Sequence, residues 1–137
     1  MSPIKLTLLG SMLVISSSAL AQNVNTKVLN KYLAPWQPVE ITAEKEGVLV
    51  ALPSRSITPE IYDLVIKTGV CNSIWTKDAP SSYLVGVKYL HITNQFKATG
   101  YSLETPLNTC KEMGDLSPTD AKTLMLSKTH LFTGSLK

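Results

Sequence analysis

Two cysteines, Cys71 and Cys110, constrain the fold of this chain more than any other feature. With only two cysteines, one intramolecular pairing is possible, and it closes a loop of about 39 residues. In a chain-entropy treatment, such a loop stabilises the folded state by roughly 4 kcal/mol. The alternative is a free catalytic thiolate with His91 or His130 as its base, which needs a reduced cysteine and a neighbouring imidazole. The redox state of the compartment decides between these alternatives.

The first 21 residues have the three parts of a secretory signal peptide. Lys5 supplies a positive charge, residues 6–14 form an apolar run, and residues 19–21 read Ala-Leu-Ala, a small-x-small cleavage site. We expect cleavage between Ala21 and Gln22, which leaves a mature domain of residues 22–137 in the periplasm or outside the cell. The alternative is an uncleaved membrane anchor, but the apolar run is shorter than the ~20 residues that span a bilayer. No stable membrane anchor is therefore expected after cleavage, and export favours a disulfide between the two cysteines.

The composition fits one small globular domain. The chain has 137 residues, of which 44% are hydrophobic and 17% are charged, and this apolar fraction is too high for a disordered chain. The formal net charge is +3, but Arg55 is the only arginine and the lysines are spread among ten acidic residues. Nucleic acid is not expected as a partner, because polyanion binding needs clustered basic residues.

Local patterns predict both helices and strands. Apolar spacing predicts a short helix in residues 23–33. Thr58 and Ser117 are polar caps that each precede a proline at the first helical position, so helices should start at 59 and 118. Gly69 is expected to end the first of these two helices. Alternating apolar and polar residues predict strands at 39–43, 48–52, 83–93, 96–103 and 129–133.

Together these elements predict a single α+β domain, an antiparallel sheet of about four to six strands packed by two to three helices and closed by one disulfide. Residues 44–47 should form the loop of a hairpin. Residues 35–38 contain two prolines and predict an extended lead-in to the first strand. Residues 70–75 could continue as a strand or form a loop, and their pattern does not separate these possibilities.

The sequence lacks the motifs of common enzymes and metal sites. It has no H-E-x-x-H, C-x-x-C, G-x-S-x-G, G-x-G-x-x-G or P-loop pattern. His91 and His130 are the only histidines, whereas a metalloenzyme usually needs three or more His and carboxylate ligands. Glu40, Glu44 and Glu46 could supply paired carboxylates for glycan hydrolysis, but a lysine among them is typical of a solvated hairpin tip. We therefore predict no catalytic residue, no metal and no cofactor.

Two segments are candidates for binding a partner protein. One is the hairpin tip Glu44-Lys45-Glu46, whose acidic side chains could enter a basic cleft. The other is the loop that begins at Trp75 and contains Lys77 and Asp78, because loop tryptophans are common interface anchors. The alternative for Trp75 is a side chain that covers the core of a small domain.

Three classes of function fit these observations. The first is a small exported binding protein that inhibits an envelope-acting protein, as an immunity protein does with a toxin. The second is an accessory or assembly module of an envelope secretion or conjugation apparatus. The third is an envelope enzyme whose site carries no known motif. The export signal, the disulfide-closed scaffold and the missing catalytic motifs favour the first class, although a fold alone does not determine function.

Overall fold

The computed structural model describes residues 17–134 of the chain, with side chains from Asn23 onward. The apolar run of the predicted signal peptide lies outside the described residues. The predicted cleavage site between Ala21 and Gln22 falls within the first helix, α1, which spans Ser17–Tyr32. Cleavage at this site stays a prediction.

The described chain forms one α+β domain with a five-stranded sheet and a disulfide, as the sequence predicts. After α1, the elements in chain order are a 3₁₀ turn (Ala34–Trp36), β1 (Glu40–Ala43), β2 (Gly47–Ala51), α2 (Pro59–Leu64), a π-helical segment (Val65–Cys71), α3 (Asn72–Trp75), β3 (Tyr89–Thr93), β4 (Gly100–Glu104), α4 (Pro106–Gly114), α5 (Pro118–Ser127) and β5 (Thr129–Phe132).

The sheet has the strand order β1-β2-β3-β4-β5. It is mixed rather than antiparallel, because β2 and β3 run parallel while the other three neighbouring pairs are antiparallel. The chain between β2 and β3 is the helical crossover from α2 to α3, and such a crossover returns the chain to the starting end of the sheet. The predicted hairpin of β1 and β2 and the terminal strand β5 are confirmed.

Residues 83–93 do not form one long strand, because β3 begins only at Tyr89. Leu84 and Gly86 take left-handed backbone conformations, with φ of 60° and 76°. The backbone N–H of Leu84 donates to Oδ1 of the buried Asn25, at 2.7 Å. This contact with α1 turns the chain where alternation alone predicts a strand.

The predicted strand at residues 96–103 is also shorter than expected, since β4 begins at Gly100. Oδ1 of Asn94 accepts hydrogen bonds from the backbone N–H groups of Ala98 and Thr99, at 2.9 and 3.4 Å. An Asn side chain that bonds to nearby backbone donors favours a turn over a strand. The connection between β3 and β4 is therefore longer than residues 94–95, which separate the two predicted strands.

Gly69 does not end the helix that starts at Pro59. Thr58 caps this helix as predicted, accepting from the N–H of Ile61 at 3.2 Å, but the chain widens into the π-helical segment and stays helical to Trp75. A Cβ at position 69 would lie 2.3 Å from Cδ2 of Leu33, so glycine here allows close packing rather than a stop. Residues 70–75 are consequently helical, neither strand nor loop.

Two further elements differ from the predicted ones, a turn before β1 and a helix after β4. The segment predicted as an extended lead-in begins with the 3₁₀ turn instead, in which Trp36 N–H donates to Leu33 O at 3.0 Å. Helix α4 has no counterpart among the predicted helices. Its N-cap residue, Thr105, is left-handed with φ of 39° and makes no side-chain cap, so the usual signal of a helix start is weak here.

The predicted disulfide is confirmed. Cys71, at the end of the π-helical segment, is bonded to Cys110 in α4, with the two Cα atoms 5.2 Å apart. Both cysteines are fully buried, and this pairing removes the alternative of a catalytic thiolate. The bond joins the helical crossover to the helix that follows β4.

The helices pack on one face of the sheet. The core brings side chains from the helices together with alternate residues of the central strands: Val48, Val50, Leu90, Ile92 and Leu103. The strand residues between these positions point to the opposite side of the sheet. None of these intervening residues belongs to the described core.

Candidate functional site

The opposite side of the sheet, here called the open face, is defined by the strand register. Its residues are Thr42, Leu49, Ala51, Tyr89, His91, Thr93, Ser102, Glu104, His130 and Phe132, with Glu40 and Glu44 at the margin formed by the first hairpin. His91 lies opposite Ser102, which lies opposite His130. The open face thus brings together both histidines, although they are far apart in the sequence.

Four rings form a cluster on the open face. The centroids of Tyr89 and His91 are 6.0 Å apart with nearly parallel planes, and those of Tyr89 and His130 are 5.8 Å apart in an edge-to-face arrangement. His91 and Phe132 are 4.9 Å apart. We call Tyr89, His91, His130 and Phe132 the ring cluster. Pairs of this geometry hold each other in place beyond the effect of buried area.

Ser102 lies on β4, between the two strands that carry the rings. Its hydroxyl oxygen is 2.5 Å from Nδ1 of His91, and the residue has no exposed surface. A hydrogen bond at one ring nitrogen fixes the orientation of an imidazole. The hydrogen bond from β4 to Nδ1 therefore fixes the orientation of the His91 ring.

His91 is mostly buried, with 15% of its side chain exposed. Burial lowers the pKa of His91 below its usual value, the charge of Glu44 opposes this by raising it, and His130 adds a smaller lowering. Nε2 of His91 lies 3.9 Å from a carboxylate oxygen of Glu44. The imidazole of His91 is consequently neutral at neutral pH.

The order Glu44, His91, Ser102 resembles the carboxylate–imidazole–hydroxyl arrangement of a nucleophilic site, but its geometry is unfavourable. Ser102 is fully buried, so a substrate carbonyl has no path to its hydroxyl. The 3.9 Å separation of Glu44 and His91 is beyond a hydrogen bond. Within residues 17–134, no group of three or more His, Cys, Asp or Glu side chains could hold a metal ion.

The glutamates around the open face differ in their partners. Glu40 pairs with Lys97, and hydrogen bonding to that lysine lowers the pKa of Glu40. Glu46 lies 3.7 Å from the Lys88 ammonium. Glu44 has its nearest ionisable partner in His91, and Glu104 has His130, at 3.5 Å.

The predicted hairpin tip borders the open face. The N–H of Glu44 donates to Gly47 O at 2.8 Å, which closes the turn, and all three residues of Glu44-Lys45-Glu46 are exposed. The carbonyl of Glu46 accepts from Lys88 N–H at 3.0 Å. The tip is thus anchored to the chain that enters β3, and its role in binding stays a prediction.

Trp75 is the last residue of α3 and packs between helices. Its indole N–H donates to the carbonyl of Cys110 at 2.7 Å, and a Cβ on Gly114 would lie 2.9 Å from the indole ring. The side chain is 37% exposed and borders a cavity of about 360 Å³. Beyond it, Lys77 takes φ of 62° and Asp78 accepts from the hydroxyl of Thr76 at 2.9 Å. The two predicted binding segments therefore contact different elements, Trp75 against α4 and the hairpin tip against the start of β3.

A second cavity, of about 480 Å³, lies where α2 and α5 meet the edge of the sheet. Its walls include Tyr101, Met125 and the exposed Leu64 and Leu126. Leu131 on the edge strand β5 is 69% exposed. The charged residues Glu60, Asp63 and Lys122 also line this groove, and nothing in the sequence pattern pointed to it.

The chain matches no known protein family, no curated protein and no solved structure. Among the described residues, no helix is long and apolar enough to cross a membrane. The function of the chain is therefore inferred from the geometry of its structure.

Alternation within the predicted strand at residues 83–93 puts Tyr89 and His91 on one face, as β3 has them, but it does not reveal the ring cluster. Phe132 and His130 join these residues only because β5 pairs with β4, which in turn pairs with β3. Alternation shows which residues of one strand share a face, but it does not show which strands are neighbours. The two histidines were the signal that could have drawn attention to this face.

Proposed function

We propose that this chain is a small exported binding protein of the inhibitor or immunity type, which binds a cell-envelope-acting protein through its open face. One observation carries the proposal: the ring cluster lies on the sheet face that contributes no residue to the core packed against the helices. Tyr89 and Phe132 are half-buried and His130 is exposed, so a partner can reach the rings.

The rigidity of the scaffold supports this proposal. The rings contact one another. The strand β3, which carries Tyr89 and His91, is paired on both sides, and β5, which carries His130 and Phe132, is paired with β4. Association loses free energy through the freezing of side chains and loops, and a pre-ordered surface loses less. Aromatic side chains are also the residues that most often anchor protein interfaces.

The test is capture of a partner from envelope extract by the protein expressed from its full sequence in an exporting host. Phe132→Ala should remove a stoichiometric partner, because it deletes a ring of the open face. Leu131→Ala is the matched control, since Leu131 is the neighbouring residue of the same strand and points to the helical side. Retention of the partner by Phe132→Ala, or release by both variants alike, would contradict the proposal.

A second function, an accessory or assembly module of an envelope apparatus, is favoured by the edge strand β5. Leu131 is 69% exposed there, next to the groove of about 480 Å³. Exposed sheet edges take an added strand from another chain, with side chains seated in neighbouring pockets. In the same capture experiment, a membrane complex that is lost with Leu131→Ala and kept with Phe132→Ala supports this function over the first.

A further inference from the structure

Two of the glutamates around the open face, Glu44 and Glu104, have no lysine within ion-pair distance, and they lie in one register row. Glu44 is opposite Gly47 through the turn, Gly47 is opposite Tyr89, and Tyr89 is opposite Glu104. The row thus consists of a carboxylate, a glycine, an aromatic ring and a second carboxylate, in that order. Three strand spacings of about 4.8 Å separate its ends, so the backbone positions of Glu44 and Glu104 are roughly 14 Å apart.

The charge on this row is not balanced within the described chain. Glu40 and Glu46 each lie within ion-pair distance of a lysine, whereas Glu44 and Glu104 have only imidazoles within that distance. An imidazole balances a carboxylate only when it is protonated. The row therefore carries two carboxylates without a lysine partner, one on each side of the half-buried Tyr89 ring.

We infer that the partner of the open face docks an arginine side chain on Tyr89, between Glu44 and Glu104. A guanidinium group fits this arrangement because it stacks on an aromatic face and donates to carboxylates in its own plane. Gly47 is buried, and a Cβ at this position would lie 2.1 Å from the backbone carbonyl oxygen of Tyr89, so the two strands approach closely here and no side chain separates Glu44 from Tyr89. The inference rests on the proposed binding function and specifies the chemistry of the partner, a basic protein segment with an exposed arginine.

The experiment is an NMR titration of the full chain with three short peptides that are identical except for one central residue: arginine, lysine or citrulline. Citrulline has nearly the shape of arginine without its charge. The arginine peptide should shift the Tyr89 ring signals and bind most tightly, with the lysine peptide weaker and the citrulline peptide weakest. Equal shifts with arginine and citrulline would overturn the inference.

Substitutions in the row test whether the arginine peptide binds there. The double variant Glu44→Gln/Glu104→Gln should weaken binding of the arginine peptide about fivefold or more, because it removes both charges. The matched control Glu40→Gln/Glu46→Gln removes the same number of charges, but from carboxylates that already have lysine partners, and it should change binding by less than about twofold. Tyr89→Phe should bind as the wild type does, while Tyr89→Leu should bind more weakly. Thermal melts verify that each variant is folded, and equal effects of the two double variants would contradict the inference.

The capture experiment separates this inference from the proposed function. If an envelope partner is captured and Glu44→Gln/Glu104→Gln retains it as tightly as the wild type, the binding function stands and the arginine site is wrong. If no partner is captured, the proposed function fails, and the peptide titration still decides whether the row binds arginine.

Discussion

The hydroxyl oxygen of Ser102 lies 2.5 Å from Nδ1 of His91, across the β3–β4 pair. Ser102 has no exposed surface, so water has no direct access to replace this contact when one partner is removed. The same imidazole packs against Tyr89 and Phe132. The position of the ring cluster therefore depends on the buried hydroxyl group of Ser102.

Ser102→Ala should lower the free energy of unfolding by about 1–3 kcal/mol, because it leaves a mostly buried ring nitrogen without its partner. Urea denaturation measures the change. Ser127→Ala is the control: the Ser127 hydroxyl donates to Leu124 O at 2.6 Å, but the residue is exposed, so its loss should change stability by less than about 0.5 kcal/mol. Equal effects of the two substitutions would show that the buried hydroxyl does not hold the imidazole.

His91 should make the stability of the protein depend on pH below about 6.5. Burial, the largest cause, lowers the pKa of folded His91 below its usual 6.5, while Glu44 opposes this and His130 adds to it. The unfolded chain therefore takes up a proton at higher pH than the folded chain does, and stability falls as pH decreases from 6.5 towards the folded pKa. Above that range, both states are neutral at His91 and the effect is absent.

Urea denaturation at a series of pH values between about 7.5 and 5 tests this dependence. His91→Phe should flatten the slope in that range, because it keeps a ring and removes the titrating group. His130→Asn is the comparison, since the other histidine of the open face is half-exposed, and it should leave most of the slope. The remaining ionisable groups of this face, Glu40, Glu44, Glu104 and Tyr89, are unchanged in both variants. A slope that persists in His91→Phe would assign the dependence to another group.

Gly69→Ala should destabilise the protein by about 1–3 kcal/mol, as overpacking of a tight contact does. In a helix with free space, the same substitution is stabilising by about 0.4–1 kcal/mol. The sign of the change in the free energy of unfolding therefore distinguishes a tight contact from free space. The added Cβ would lie 2.3 Å from Cδ2 of Leu33. In a double-mutant cycle with Leu33→Ala, the two changes should be less than additive, because the smaller side chain makes room for the methyl group. Strict additivity would contradict the contact.

Trp75→Ala should lower the free energy of unfolding by about 3–5 kcal/mol, because the ring packs on Gly114 and its N–H is bonded to Cys110 O. Trp75→Phe keeps an aromatic ring and loses the hydrogen bond, so its effect should be nearer to 1 kcal/mol. Chemical denaturation of both variants measures these losses. A change below about 0.5 kcal/mol for Trp75→Ala would indicate that the indole is free for a partner.

Local signals predicted those parts of the fold that depend on neighbouring residues. Thr58 and Ser117 cap helices because each side chain accepts from a backbone N–H three residues later. The hairpin of β1 and β2 follows from alternation and a short polar connection. The disulfide follows from the cysteine count and the predicted export signal, with no knowledge of the fold.

Contacts between distant residues decided the rest. Leu84 turns because Asn25 in α1 binds its N–H, and the helix continues past Gly69 because Leu33 packs there. The parallel pairing of β2 with β3 depends on how the helical crossover packs, which a single strand pattern does not encode. The ring cluster forms only when β3, β4 and β5 lie side by side in this order. The residues next to each histidine in the sequence do not reveal that order.

The disulfide encloses the central part of the sheet within a covalent ring. Strands β3 and β4 both lie between Cys71 and Cys110, together with the exposed loop residues 95–99. A protease that cuts once in this stretch opens the backbone but does not separate the two fragments, which stay joined until the disulfide is reduced. In surroundings where proteases are common and reductants are scarce, a nicked molecule can keep its halves together with the central strands still paired.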